Sequence, residues 1–238
     1  MRRSKNIACR RRSKQGRGSA YRKCASFFNS SSCIEKKTLC ASEGDCERVE
    51  QERQAWREKT ASIDPKRLIF VDETGMNLAM TRRYARAEGQ ARAYGSAPKN
   101  PGKNISLIAS LSVDGKMTGM SFPGALDGEA YHVYVEKILC PTLQPDDIVV
   151  VDNLRVHEDE RVRALIQSCG AQLWFLPPYS PRLNPIEECF SKVKTILRSA
   201  AARTQEALEN AITYALDTIT PSDARGWFED SGYRLSSA

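Results

Sequence analysis

Residues 174–190, WFLPPYSPRLNPIEECF, decide how this chain is read. The stretch opens as a short apolar strand, breaks at Pro177 and Pro178, turns through Ser180 and Pro181, and re-enters regular structure at Asn184-Pro185. Asn184 suits a helix cap, Pro185 suits the first helical position, and Glu187 falls third, where a capping-box carboxylate sits. One reading of Glu187 is therefore a helix cap. Four prolines within the nine residues from Pro177 to Pro185 stiffen the approach, and the second reading is that they fix one acidic side chain in a definite place.

Outward from that stretch, short apolar runs recur. RLIFVDE carries four apolar residues, 68–71, and DIVVVDN carries four more, 148–151. Uninterrupted runs of this length suit central strands covered on both faces. Between them, 105–113 and 117–122 around Asp114-Gly115 predict a hairpin. A helical period follows, with Tyr131, Tyr134, Val135, Ile138 and Leu139 on one face, stopped by Pro141 and Pro145. A second helix over about 158–169 turns Val162, Leu165 and Ile166 inward and ends at Gly170. Strand 173–176 leads into the opening stretch and a third helix with Ile186, Phe190, Val193 and Leu197 inward. Two more helices, 204–219 and 221–228, are expected to pack back on the sheet. The order strand, two-strand hairpin, helix, strand, helix, strand, helix is α/β with a partly antiparallel sheet. This is the succession of the ribonuclease-H-like fold, a mixed sheet with extra C-terminal helices.

Of 238 residues, 41% are hydrophobic and only 25 are Gly or Pro (14 + 11), so the chain can build a core. No run of about 18 apolar residues is present, so no membrane span is expected. The basic N-terminus lacks the apolar segment of a secretory signal, which predicts a cytoplasmic protein. The net charge of +7 is uneven: residues 1–40 hold twelve Lys/Arg and one Glu, or +11, leaving 24 minus 28, or −4, for 41–238. Residues 1–32 are expected to be a basic, disordered tail, which is either a nucleic-acid arm or a solvated end. Residues 33–64 read as a charged helical linker, exposed, with Val49 and Trp56 one heptad apart. Residues 65–233 form the folded domain.

Within it, 81–104 holds six Lys/Arg against one Glu. It reads as a basic hairpin and loop with turn points at Gly89, Gly95 and Gly102. Its charge opposes that of its surroundings, which favours phosphate contacts, and the DNA-binding candidates are Arg82, Arg83, Arg86, Lys99 and Lys103, with Lys194 on the third helix. The eight cysteines form no CxxC pair and there are two histidines, so free thiols are expected rather than zinc, with Cys140, Cys169 and Cys189 as small core residues.

Asp72 and Asp152 each end an apolar strand run. If those strands are parallel neighbours, about 4.8 Å apart, their side chains meet in the crevice at the carboxyl ends, where open α/β sheets bind ligands. Carboxylates that close repel unless a cation is shared. With Glu187 as the third member the donor set is all oxygen, which selects Mg²⁺ or Mn²⁺, two ions serving an in-line displacement at phosphorus. Asn153, His157 and Asn184 are candidates to support the ligands. Glu73, another supporting candidate, and Glu188 replace the neighbouring ligands if the register is off by one.

Taken together, VDE at Asp72, VVVDN with His157 at Asp152, and LPPYSPRLNPIEE at Glu187 resemble the DDE endonuclease domain of Tc/mariner-type transposases, the bacterial insertion-sequence branch above all, over roughly 33–233. Asp152 and Glu187 are separated by 34 residues (187 − 152 − 1), the separation of that branch, and this selects Glu187 over Glu188. The resemblance implies Asp72, Asp152 and Glu187 as catalytic metal ligands, Mg²⁺-dependent cleavage of DNA at transposon terminal inverted repeats, and transfer of the 3′-hydroxyl into target DNA. It also implies a homodimer on paired ends, acting at a bacterial nucleoid. Arg182 stands where the family has an acid. The family reads its terminal repeat with a helix-turn-helix region ahead of this domain; here a basic tail and one helix occupy that place. A separate helix-turn-helix polypeptide from an upstream reading frame is therefore an expected partner. The alternative is a truncated, non-catalytic remnant that binds DNA or a partner. A nuclease of RNA–DNA hybrids shares the fold but is disfavoured by the LNPIE string.

Overall fold

Leu68 to Val71 can be covered on both sides only in the middle of a sheet, and that is where they lie. The computed structural model describes residues 46–89, 91–153 and 159–235. The basic tail, the first part of the expected linker, Cys9, Cys24, Cys33, Cys40 and His157 lie outside the described residues. Strands β1 (Leu68–Met76), β2 (Ile105–Ser112), β3 (Met117–Pro123), β4 (Ile148–Val151) and β5 (Gln172–Phe175) form one mixed sheet in the order β3-β2-β1-β4-β5. The β2–β3 hairpin and its neighbour β1 are antiparallel, whereas β1, β4 and β5 run parallel. The ribonuclease-H-like arrangement expected from the element order is thus present. At the hairpin turn Gly115 has φ 75°, and a Cβ there would fall 2.9 Å from the Pro221 nitrogen. Only glycine meets both demands.

Helices cover both faces. On one lie α1 (Glu47–Thr60), α4 (Pro185–Ala200), α5 (Gln205–Asp217) and α6 (Pro221–Asp230). Their apolar residues, among them Ile186, Phe190, Val193, Leu197, Ile212 and Phe228, pack on Leu68, Phe70 and Val150 of the sheet. Phe228 meets Phe70 edge-on at 5.3 Å, which stabilises beyond the area buried. On the other face α2 (Gly128–Tyr134) and α3 (Glu160–Ser168) bury Tyr131, Tyr134, Val162 and Ile166 against Val71, Val149 and Val151. Each such side chain taken from water contributes about 1.5–3 kcal/mol. Helix α2 runs on through a wider π turn, Val135–Leu139, before Pro141 closes it. Among the described residues no helix is long and apolar enough to cross a membrane.

Three expectations are corrected. Helix α1 is not an exposed linker: Val49 and Trp56 are buried. Trp56 stacks edge-on against Trp174 at 6.0 Å and donates its indole N–H to the Tyr233 hydroxyl at 3.0 Å. Val49, Arg53 and Trp56, spaced i, i+4 and i+7, form one stripe of an otherwise charged helix, and that stripe is enough to dock it. The basic segment between β1 and β2 is no hairpin. Among its described residues there is no strand, and Tyr84 and Tyr94 are 90% and 92% exposed. Its Arg, Ala and Gly lack the alternating apolar residues that a paired strand would bury. Of the described cysteines, only Cys189 is a core residue; Cys140 and Cys169 are half-buried and Cys46 is exposed.

Helix α6 starts with a capping box in which Thr220 and Asp223 bond each other's backbone amides, and Lys192 of α4 adds its ammonium to Asp223 at 2.6 Å. These partners, the Lys192 contact first, hold the Asp223 carboxyl down at about 2 from an ordinary 3.8. Since the folded-state value is lowered, the stabilisation is complete above about pH 4 and is lost as pH falls through 2. Asp223→Ala is expected to cost about 1–2 kcal/mol at pH 7, with the difference from the unaltered protein shrinking below about pH 4 and smallest once the pH is below the folded value of about 2. Urea unfolding across that range measures it.

Candidate active site

Pleating sorts the side chains of β1. Phe70 and Met76 face the core beneath α4, and Val71 faces the opposite core. Asp72 therefore stands on the α4 side and Glu73 on the other. The same alternation in β4 puts Val150 with Phe70 and Val149 and Val151 opposite. The parallel register pairs Leu68 with Ile148 and Phe70 with Val150; continued two residues, it sets Asp72 beside Asp152 on one face, with strands about 4.8 Å apart. Asp72 is 8% exposed and accepts the Glu73 amide at 2.7 Å. On the opposite face Tyr131 is fully buried. Burial first, and then Tyr134 and the negative Asp152, push its phenol far above the usual range, so it remains a neutral hydroxyl.

The wall facing these carboxylates is the proline loop. Asn153 donates its amide to the Leu176 carbonyl at 3.0 Å, which fixes the loop's start. Pro181–Leu183 makes one 3₁₀ turn, and α4 begins at Pro185. Asn184 does not cap α4 with its side chain. Its backbone N–H goes to the Pro181 carbonyl at 3.1 Å, so the amide a capping-box Glu187 would seek is occupied. The Asn184 side chain turns instead to Asp72, donating Nδ2 to Oδ2 at 2.8 Å. A carboxylate only accepts, so the nitrogen must face it, and Asn184 Oδ1 is left buried with no hydrogen-bond partner. Glu187 is exposed in the first turn of α4.

Asp72, Asp152 and Glu187 line a single cleft of about 500 Å³, together with Asn153, Asn184 and the wall from Leu176 to Pro181. Every polar side chain of that lining among the acids and amides offers oxygen, the donor type of hard divalent cations. As the side chains stand, no three His, Cys, Asp or Glu groups among the described residues close on one point to grip an ion. Asn153 and Asn184 thus join the three acids, and Glu73 does not. Glu188 points away: burial, and then the negative Asp230 of α6, raise its carboxyl above the usual range.

The basic candidates lie elsewhere. Among the described residues, Arg82, Arg83, Arg86, Lys99, Lys103 and Lys194 are absent from the cleft lining. The first five are exposed in the segment between β1 and β2. That segment is moored to the far end of α4, where Arg203 donates to the carbonyls of Leu78 at 3.0 Å and Met80 at 3.2 Å and Arg82 donates to Ser199 at 3.3 Å. Sequence reasoning missed Arg53, whose guanidinium bonds the proline loop, and Tyr233, which donates to the Leu183 carbonyl at 2.7 Å. The i, i+4, i+7 stripe on α1 was the signal for the first; nothing local signalled the second.

The family model of the DDE superfamily endonucleases matches residues 67–209. Among solved structures, the Mos1 strand transfer complex superposes with a TM-score of 0.68 at 15% identity, over 87% of this chain and 65% of that one. The mariner Mos1 paired end complex with Mg superposes with a TM-score of 0.66 at 14% identity, over 91% of this chain and 72% of that one. At such identities the likeness is one of fold, and the chain spans just under two thirds of the Mos1 chain in the first of these complexes. No curated protein is similar enough in sequence to count as a relative. By the family match, which takes in more than half of its length, the chain belongs to the DDE superfamily endonucleases.

Proposed function

We propose that this chain is the catalytic domain of a transposase, a metal-dependent enzyme that cleaves DNA at transposon ends and joins the freed 3′-hydroxyl to target DNA. The observation that carries this reading is the single cleft shared by Asp72, Asp152 and Glu187, three acids from three separate elements. Family membership supports it. The strand transfer and paired-end complexes of Mos1 support extending it to paired DNA ends held by two copies of the chain.

Asp72, Asp152 and Glu187 would hold Mg²⁺ or Mn²⁺. Bound there, the ions supply Lewis acidity, lowering the pKa of an attacking water or hydroxyl and stabilising the leaving oxygen. Adjacent carboxylates on neighbouring strands repel one another, which biases the cleft toward a cation. Asn184 and the Glu73 amide fix the Asp72 carboxylate from two sides. In cleavage a water oxygen attacks phosphorus and the bond to the 3′-oxygen breaks, leaving a 3′-hydroxyl. In transfer that hydroxyl attacks a target phosphodiester and displaces another 3′-oxygen. Arg82, Arg83, Arg86, Lys99, Lys103 and Lys194 would neutralise phosphates along the bound strands, making binding weaken as salt rises.

Asp152→Asn and Glu187→Gln are each expected to lower Mg²⁺-dependent nicking of DNA carrying the element's ends by more than about 100-fold, beyond the effect typical of an outer-shell change, and EDTA to abolish it. Nicking that survives both substitutions would sink the proposed triad. Asn184→Ala removes the hydrogen bond to a buried carboxylate and is expected to destabilise the fold by about 2 kcal/mol and to reduce nicking by about 10–100-fold. Urea unfolding and the same cleavage assay separate the two effects.

A further inference from the structure

The proline loop carries an energetic burden that its own sequence does not relieve. Tyr179, a non-glycine residue, has φ 52°, a left-handed conformation that persists only where the surroundings enforce it. Pro177, Pro178 and Pro181 have no N–H to bond inside the loop. At Tyr179 and Ser180 the hold comes from outside the family-matched region, from α1. Arg53 donates Nη2 to the Tyr179 carbonyl at 2.7 Å and Nε to Ser180 Oγ at 3.0 Å. Ser180 Oγ in turn donates to the Pro178 carbonyl at 2.9 Å. From the other side Glu50 meets Arg53 Nη1 at 3.3 Å, and only 21% of the Arg53 side chain is exposed. The guanidinium is therefore a fork set across two successive loop residues, a geometry that lysine cannot reproduce.

We infer that Arg53 is a positioning residue of the cleft: it holds Tyr179-Ser180 in place, and through the turn that follows it sets where Asn184 and Glu187 stand. The connection is short. The Ser180 carbonyl accepts the Leu183 amide at 3.0 Å, the Pro181 carbonyl accepts the Asn184 amide at 3.1 Å, and the Asn184 carbonyl accepts the Glu187 amide at 3.1 Å. A shift at Ser180 thus passes to the residue that bonds Asp72 and to the first turn of α4. Helix α1 acts as part of the cleft's frame, although it lies before the region that the family shares. The inference deepens the proposed metal-dependent reading and rests on it.

The test uses the full chain and two readouts besides DNA cleavage: hydrogen exchange at the amides of Leu183 and Asn184, and Mn²⁺ affinity without DNA, by electron paramagnetic resonance. Arg53→Ala is expected to speed exchange at both amides by at least about 10-fold and to weaken Mn²⁺ binding by about 10-fold, at the low end of outer-shell effects. Arg53→Lys should fall between. Arg57→Ala, on the same helix and bonded to Glu50, should leave both readouts unchanged. Circular dichroism confirms that each variant is folded; if Arg53→Ala is not, Arg53→Lys carries the comparison. Unchanged exchange, or faster exchange with unchanged Mn²⁺ affinity, overturns the inference alone. An unaltered protein that binds no Mn²⁺ overturns the reading on which it rests.

Discussion

The parallel pairing of β1 with β4 is the constraint on which the rest depends. Its register, Phe70 against Val150, carries two apolar runs side by side through the sheet and delivers an aspartate at the same level from each. Because side chains alternate along a strand, a slip of one residue would turn every partner to the other face: Asp72 would change places with Glu73, and Phe70 would leave the core that Phe228 completes. The hydrophobic register and the acidic site are therefore one specification. Strong burial on both faces fixes the strands, and the strands fix two carboxylates that mutual repulsion would otherwise keep apart.

The third acid depends on α4. Its inward residues, Ile186, Cys189, Phe190, Val193 and Leu197, are all buried, so the rotation of the helix about its axis is set by packing. Glu187 and Glu188 lie about 100° apart around that axis, and burying Ile186 and Phe190 leaves Glu187 toward the cleft and Glu188 toward Asp230. The capping alternative for Glu187 fails for a local reason: Pro181 already accepts the Asn184 amide, and the Asn184 side chain is committed to Asp72. The signal for a helix start was right, while the roles of its residues were reassigned by the neighbouring strand.

What the sequence made legible was whatever periodicity and apolar runs control. The strand 148–151, the hairpin, the inward faces of α3 and α4 and the lining acids follow from residues within one element. The errors fall where an element's fate depends on a distant partner. Helix α1 looked exposed because its charges outnumber its two large apolar residues, Val49 and Trp56, yet Trp174 and Tyr233, far along the chain, give Trp56 a place to go. Conversely, the basic segment looked like a hairpin because glycines punctuate it, but no sheet edge receives it and its anchor is Arg203, beyond α4. Turn residues mark where a chain can bend, not what its flanks will pair with.

The proline loop joins these points. Proline stiffens a loop but also strips it of donors, and buried carbonyls still require them. Ser180 and the amides of Leu183 and Asn184 supply some from within the loop, and the rest come from side chains elsewhere: Asn153 at a separation of 23 residues for Leu176, Tyr233 at 50 for Leu183, Arg53 at 126 for Tyr179. To these Asn184 adds its bond to Asp72 at a separation of 112. A loop built this way is not held by its own sequence alone; side chains from both ends of the domain complete its hydrogen bonds. The rigidity first read from four prolines is thus a property of the whole fold, and the wall opposite the two aspartates is as stable as the contacts that α1 and the C-terminal segment bring to it.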